Sequence, residues 1–186
     1  MNFVSRAGEK LAFALHTFHI SPNGLICADF GSSTGGFVDC LLQEGAQKVY
    51  SIDTSYGELA WKLRNNPRVV VMERTNAMHV ELPEKMDIIT NDTSWTKQEK
   101  VIPNIIKNLK DNGIIITLIK PHYQADKSLL KKGVLDENLA ESISKNVASH
   151  LENTFPIKLL DFTKSPLLGG KGGNSEYIAV FRKDAN

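Results

Sequence analysis

An α/β chain with a seven-stranded, mostly parallel sheet, one antiparallel edge strand and helices on both faces is what this sequence predicts. Three observations predict it. Short apolar runs of strand length alternate with stretches of helical period, the pattern of βαβ units. The first of these runs breaks into Gly31-Ser32-Ser33-Thr34-Gly35-Gly36 and feeds a helix at once, a turn that exposes bare backbone and free helix N–H groups to a ligand. The last two runs have no helix between them, so they should form an antiparallel hairpin at one edge of the sheet.

The elements follow in chain order. Leu11, Leu15 and Phe18 share one face of a first helix over residues 6–17, with Ser5 as its N-cap, and Ser21-Pro22-Asn23-Gly24 turns the chain. A strand over 25–30 leads through the glycine loop into a helix over 36–44. The next strand covers 48–52, then a helix 58–64, the breaker Asn65-Asn66-Pro67 and a strand 69–72. Residues 86–90 form the fourth strand and 97–109 a helix, after which Asp111-Asn112-Gly113 turns into a fifth strand over 114–119. Asp136 caps a long helix reaching residue 153, and strands over 157–162 and 176–181 flank a loop rich in Gly and Lys. No stretch reads as a linker, so the expectation is one domain over residues 1–186.

Composition narrows the function. A chain of 186 residues, 41% hydrophobic, can bury a sizeable core. With a formal net charge of +1 it is no polycation, so nucleic acid would have to be met through a local patch. No run approaches the ~20 apolar residues of a membrane span, and the N-terminal residues Arg6, Glu9 and Lys10 interrupt any signal core. A cytoplasmic location and two buried thiols, Cys27 and Cys40, are expected. His16 and His19 have no acidic or cysteine partners at metal spacing, so no metal is expected.

The glycine loop lacks the Gly-Lys-Ser/Thr of a phosphate-binding P-loop and is not a clean G-x-G-x-x-G. Asp53 ends the second strand, where Rossmann-like domains hold a ribose. Together they indicate an adenosine-containing cofactor, and the order Asp29-Phe30-Gly31-Ser32-Ser33-Thr34-Gly35-Gly36-Phe37 suits S-adenosyl-L-methionine better than a dinucleotide.

The chain resembles the FtsJ-type ribose 2′-O-methyltransferases, and within them the haemolysin A (TlyA) branch. The resemblance is carried by the segment from Val4 to Leu11, the glycine loop, the block from Asp53 to Leu63, Glu73-Arg74-Thr75-Asn76, Asn91-Asp92-Thr93-Ser94-Trp95, Lys120-Pro121, and the stretch from Ser165-Pro166 to Gly173-Asn174-Ser175-Glu176. It implies a Rossmann-like methyltransferase fold, S-adenosyl-L-methionine as cofactor and RNA as substrate, a cytidine of ribosomal RNA or a ribosomal subunit. It also implies a catalytic Lys-Asp-Lys-Glu tetrad at Lys10, Asp92, Lys120 and Glu176. Lys120 would be the general base, Lys10 a neighbouring positive charge, and the two acids would orient the lysines. Asp92 and Lys120 have independent support, because each lies just past an apolar strand on the ligand-binding rim of an open sheet. On their own, Lys10 would read as a solvated helix face and Glu176 as a plain strand start.

The expected cofactor contacts are Gly31, Ser33, Thr34, Gly35, Gly36, Phe37, Asp53, Asn76 and Asp92. The glycines would let the backbone approach the methionine part, Asp53 would hold the ribose hydroxyls and Asn76 the adenine edge. Lys131, Lys132, Lys164, Lys171, Arg182 and Lys183 are candidates to meet phosphates, and Trp95, His122 and Tyr123 to stack a base. Lys131-Lys132 reads equally as an exposed charge pair, and residues 169–173 as a substrate-ordered lid or only a loop. Relatives in this branch carry an N-terminal S4 RNA-binding domain, which is not seen before Val4. They commonly have an acid where this chain has Gln124. A non-catalytic RNA- or ribosome-binding module with the same fold is the alternative.

Overall fold

The computed structural model describes residues 2–170 and 173–185. Seven strands, β1 (Ile26–Phe30), β2 (Lys48–Ile52), β3 (Val69–Met72), β4 (Met86–Asn91), β5 (Leu109–Ile119), β6 (Ile157–Lys164) and β7 (Tyr177–Lys183), build a single sheet in the order β3-β2-β1-β4-β5-β7-β6. The helices are α1 (Ala7–Thr17), α2 (Gly36–Gln43), α3 (Trp61–Arg64), α4 (Gln98–Asn108), α5 (Pro121–Gln124) and α6 (Glu137–Thr154). β1 to β5 pair in parallel, and β7 runs against both of its neighbours.

The hairpin expected at the sheet edge is β6–β7, and its reversed strand, β7, stands one place in, with β6 outermost. Burial explains the order. Tyr177 to Phe181 are all buried, as an unbroken apolar run requires of a strand covered on both faces, whereas β6 mixes Lys158, Asp161 and Lys164 with half-buried residues. A register shift between Leu159 and Asp161 and these charges blunt the exposed edge.

Alternating strand residues feed two apolar layers. Ala28, Phe30, Tyr50, Ile52 and Ile89 pack with α4 and α6 residues such as Ile102, Ile105 and Leu151. Cys27, Val49, Ile88 and Ile116 pack with Leu11 and Leu15 of α1, Val38 and Leu41 of α2, and Leu63 of α3. Each such side chain contributes roughly 1.5–3 kcal/mol by leaving water. Both cysteines sit in the second layer as free thiols, where burial pushes Cys27 up to about 12.

Three local expectations are corrected. The helix expected from residue 58 begins at Trp61, because the Ala60 N–H bonds the Thr34 carbonyl and Leu59 is drawn into the core against Gly35. Asp111-Asn112-Gly113 is not a turn between elements but a bulge within β5, where pairing jumps from Met86–Leu109 to Ile88–Ile114 and Asn112 takes φ +60°. Ser5 does not cap α1: Arg6 stands at that position without a side-chain bond, and the Ser5 hydroxyl faces Gly36 at the start of α2.

Candidate active site

Reversal of strand order around β1 opens a crevice at the carboxyl ends of β1 and β4, the place where open α/β sheets take ligands. The loop after β1 crosses to β2: Gly31 and Ser32 N–H both bond the Ile52 carbonyl, and Ser33 N–H donates to Asp53 Oδ2 at 2.7 Å. A cavity of about 450 Å³ lies above this crossing. Its walls include Gly31, Ser33, Thr34, Gly36, Phe37, Asp53, Asn76 and Asp92, all expected from the sequence, and the amino end of α2.

The glycines also let neighbouring protein pack against the loop. A Cβ on Gly31 would lie 3.0 Å from the Thr93 backbone, one on Gly36 would strike Ser5, and one on Gly35 would strike Leu59 and Leu63. Their missing side chains thus admit neighbouring protein, and Gly35, at φ +97°, does not line the cavity. Asn76 lines it but spends its side-chain oxygen on the Met78 N–H at 2.9 Å, which leaves the amide NH₂ to face a ligand.

A second cavity, about 870 Å³, adjoins the first. Ser94, Trp95 and Lys120 line both. His122, Tyr123, Lys127, Asn174 and Glu176 line only the second. The sheet explains the meeting of Lys120 and Glu176: antiparallel pairing of Ile119 with Tyr177, continued by one residue, sets them side by side on the rim. Lys10 comes from α1, 6% exposed, and pairs with Glu176. Lys120 Nζ lies 2.7 Å from Asp92 Oδ1, outside hydrogen-bond alignment, and donates to the Asp92 carbonyl (3.1 Å) and Ser94 Oγ (2.9 Å). The tetrad therefore forms two ion pairs, and the charge in contact with each lysine is a carboxylate rather than the other lysine.

The aromatic trio is gathered as expected. Trp95 packs at a tilt 4.8 Å from Tyr123, and Tyr123 lies 4.1 Å from His122. Trp95 is 84% exposed and held at φ +64°, a strained conformation for a bulky residue. Burial, and then the Lys120 charge, lower the pKa of His122, which favours its neutral ring.

Asp29 was not anticipated. It is 1% exposed, lines the first cavity, and accepts from Thr90 Oγ1 at 2.7 Å, while its Oδ2 has no partner. Burial pushes it up to about 8; the Thr90 bond opposes this, and Asp92 and Asp53 add to it. The available signal was an acid inside an apolar strand.

Several expected phosphate contacts are misplaced. Because β7 runs antiparallel, Arg182 and Lys183 end at the opposite side of the sheet, where Lys183 pairs with Asp111 at 3.0 Å. Lys164 is tied to Glu137. Lys171 lies outside the described residues. No helix among the described residues is long and apolar enough to cross a membrane.

Comparison with known proteins bears on this geometry. The model of the FtsJ-like methyltransferase family matches residues 3–183. Hemolysin A of Brachyspira hyodysenteriae is 41% identical over 97% of this chain and 77% of its own length. The Mycobacterium tuberculosis protein named 16S/23S rRNA (cytidine-2′-O)-methyltransferase TlyA is 36% identical over 97% of this chain and 68% of its own. A solved structure from Streptococcus thermophilus, described as a hemolysin, superposes with a TM-score of 0.94 at 32% identity, over the whole of this chain and 69% of that one.

Proposed function

Since the chain belongs to the FtsJ-like methyltransferase family, we propose that it transfers a methyl group from S-adenosylmethionine to a ribose 2′-hydroxyl of RNA, at a cytidine of ribosomal RNA. The observation that carries the reading is Lys120 at the junction of two cavities, one suited to a nucleoside cofactor and one to a nucleotide.

The residues of the first cavity fit the cofactor. Asp53 uses two acceptor positions on Ser33 N–H and Ser55 N–H, and its carboxylate retains others for a diol. The Oδ2 of Asp29, buried and unpartnered, adds a polar group to the same wall that carries Asp53 and Asp92. The cofactor would supply a sulfonium-bound methyl, already strongly electrophilic, so the protein's tasks are alignment and removal of one proton.

As a neutral amine, its own proton given up to solvent, Lys120 Nζ would take that proton from the 2′-hydroxyl while the methyl passes from the cofactor's sulfur to the oxygen. Asp92 and Ser94 hold the amine at the junction, and Glu176, steadied by Lys10, lines the nucleotide side. Trp95, Tyr123 and His122 would stack the base.

The test is single-turnover methyl transfer to unmethylated small- and large-subunit ribosomal RNA. Lys120→Met should lower the rate by about 10²-fold or more with cofactor affinity retained. Lys120→Arg should not restore it, because a guanidinium does not give up its proton. A near-wild-type rate in the arginine variant removes the base role. No transfer by the wild type to either RNA removes the substrate.

A further inference from the structure

The wall of the second cavity includes a segment that the catalytic reading leaves unused, residues 125–135. It opens with a single 3-10 turn, Lys127–Leu129, and ends in a tight hairpin: Lys131 N–H bonds Val134 O at 2.8 Å, and Val134 N–H bonds Lys131 O at 3.0 Å. The two hairpin residues, Lys132 and Gly133, take φ +52° and +83°, the pattern of a type I′ turn. Asparagine or glycine suits the first of these positions; lysine there is strained.

A buried side chain holds the strained hairpin. Asn174, 5% exposed, accepts the Leu135 N–H at 2.9 Å and donates to the Gly133 carbonyl at 3.0 Å, so both ends of its amide grip the segment. Its own carbonyl accepts from Gly169 N–H at 2.8 Å, and two residues on lies Glu176. The segment and the stretch leading to Glu176 are thus fixed to one another.

Lys127, Lys131 and Lys132 are exposed and form no ion pair among the described residues, unlike Lys164 and Lys183. The adjacent acids bond other groups: Asp126 accepts from Ser128, and Asp136 caps α6. Lys127 lines the cavity, and Lys131 and Lys132 flank its lining residues Leu130 and Gly133, so exposed cations beside an aromatic wall match the charge of a phosphodiester backbone.

We propose that residues 125–135 are a strap that carries the RNA backbone past the second cavity, with Lys127, Lys131 and Lys132 on its phosphates and Asn174 as the residue that positions it. The proposal rests on the reading of the chain as an RNA enzyme.

The test measures binding of a fluorescein-labelled fragment of unmodified ribosomal RNA over a salt series, beside binding of S-adenosylhomocysteine. The triple variant Lys127→Ala, Lys131→Ala, Lys132→Ala should reduce the log–log salt slope by about two, since each phosphate contact on a single strand adds ~0.7. Lys132→Asn should melt no lower than wild type yet lose about 0.7 of slope, a combination that a merely structural lysine would not give. Asn174→Ala should weaken RNA binding with all three lysines present, while S-adenosylhomocysteine affinity is unchanged. Lys110→Ala with Lys183→Ala, on the opposite side of the sheet, should leave the slope as it is. An unchanged slope in the triple variant, or an equal loss in the Lys110/Lys183 control, overturns the strap. If Asn174→Ala does not fold, the lysine variants still decide. Wild-type protein that binds S-adenosylhomocysteine but no RNA overturns the RNA reading itself, and the strap with it.

Discussion

Asp29 concentrates the electrostatics of the site in one residue. Burial raises its folded pKa to about 8, above the value of an unfolded aspartate. Between those two values the folded chain binds a proton that the unfolded chain does not, so stability falls as pH rises through the window, by at most about 1.4 kcal/mol per pH unit. Urea unfolding of Asp29→Asn from pH 5 to pH 8 should give a visibly flatter profile. A slope equal to that of the wild type would mean that Asp29 holds no proton. The residue escaped sequence reading because its run, Ile26-Cys27-Ala28-Asp29-Phe30, has strand character with or without it. Lys120 and Asp92 were legible because strand ends are. Lys10 was not legible without the family motif, since a helix face shows its burial only once something packs on it.

The strap's neighbour α6 shows how a local signal can be complete. Asp136 Oδ1 accepts from Asn138 N–H at 3.0 Å and Leu139 N–H at 3.3 Å, as its place before the helical run foretold. Asp136→Ala should cost about 1 kcal/mol, which lowers the melting temperature by roughly 2–4 °C in a chain of this size. An unchanged melting curve would show that packing of Ala140, Ala148 and Leu151 alone holds the helix. α3 is the opposite case: residues 58–60 have helical composition, but a tertiary bond from Ala60 to Thr34 and the burial of Leu59 override it. Bulging of β5 at Asn112 is likewise settled by pairing with β4, which no local pattern encodes.

Across the molecule, binding to the folded state alone should appear as stability. At a hundredfold excess over its Kd, S-adenosylhomocysteine should add about 2.7 kcal/mol, a shift of roughly 5–11 °C in melting temperature. In Asp53→Ala, which loses the carboxylate that also anchors Ser33 and Ser55, the shift at the same concentration should be smaller. A shift of the same size in that variant would place the ribose elsewhere. An absent shift in wild type would remove the cofactor proposal.

The sequence by itself determined the alternation of strands and helices, the crossing loop after β1, the rim positions of Asp92 and Lys120, and the aromatic trio. All of these depend on short-range periodicity, turn chemistry or adjacency in the chain. Only the tertiary structure decided which lysines face the cavities. Arg182 and Lys183 were removed by the direction of β7, Lys164 by its pairing with Glu137, while Lys127 lines the second cavity and the hairpin that carries Lys132 is gripped at Gly133 by Asn174. Charge carries no local periodicity, so where a lysine points is fixed by strand order and long-range hydrogen bonds, which exist only after the chain has closed on itself.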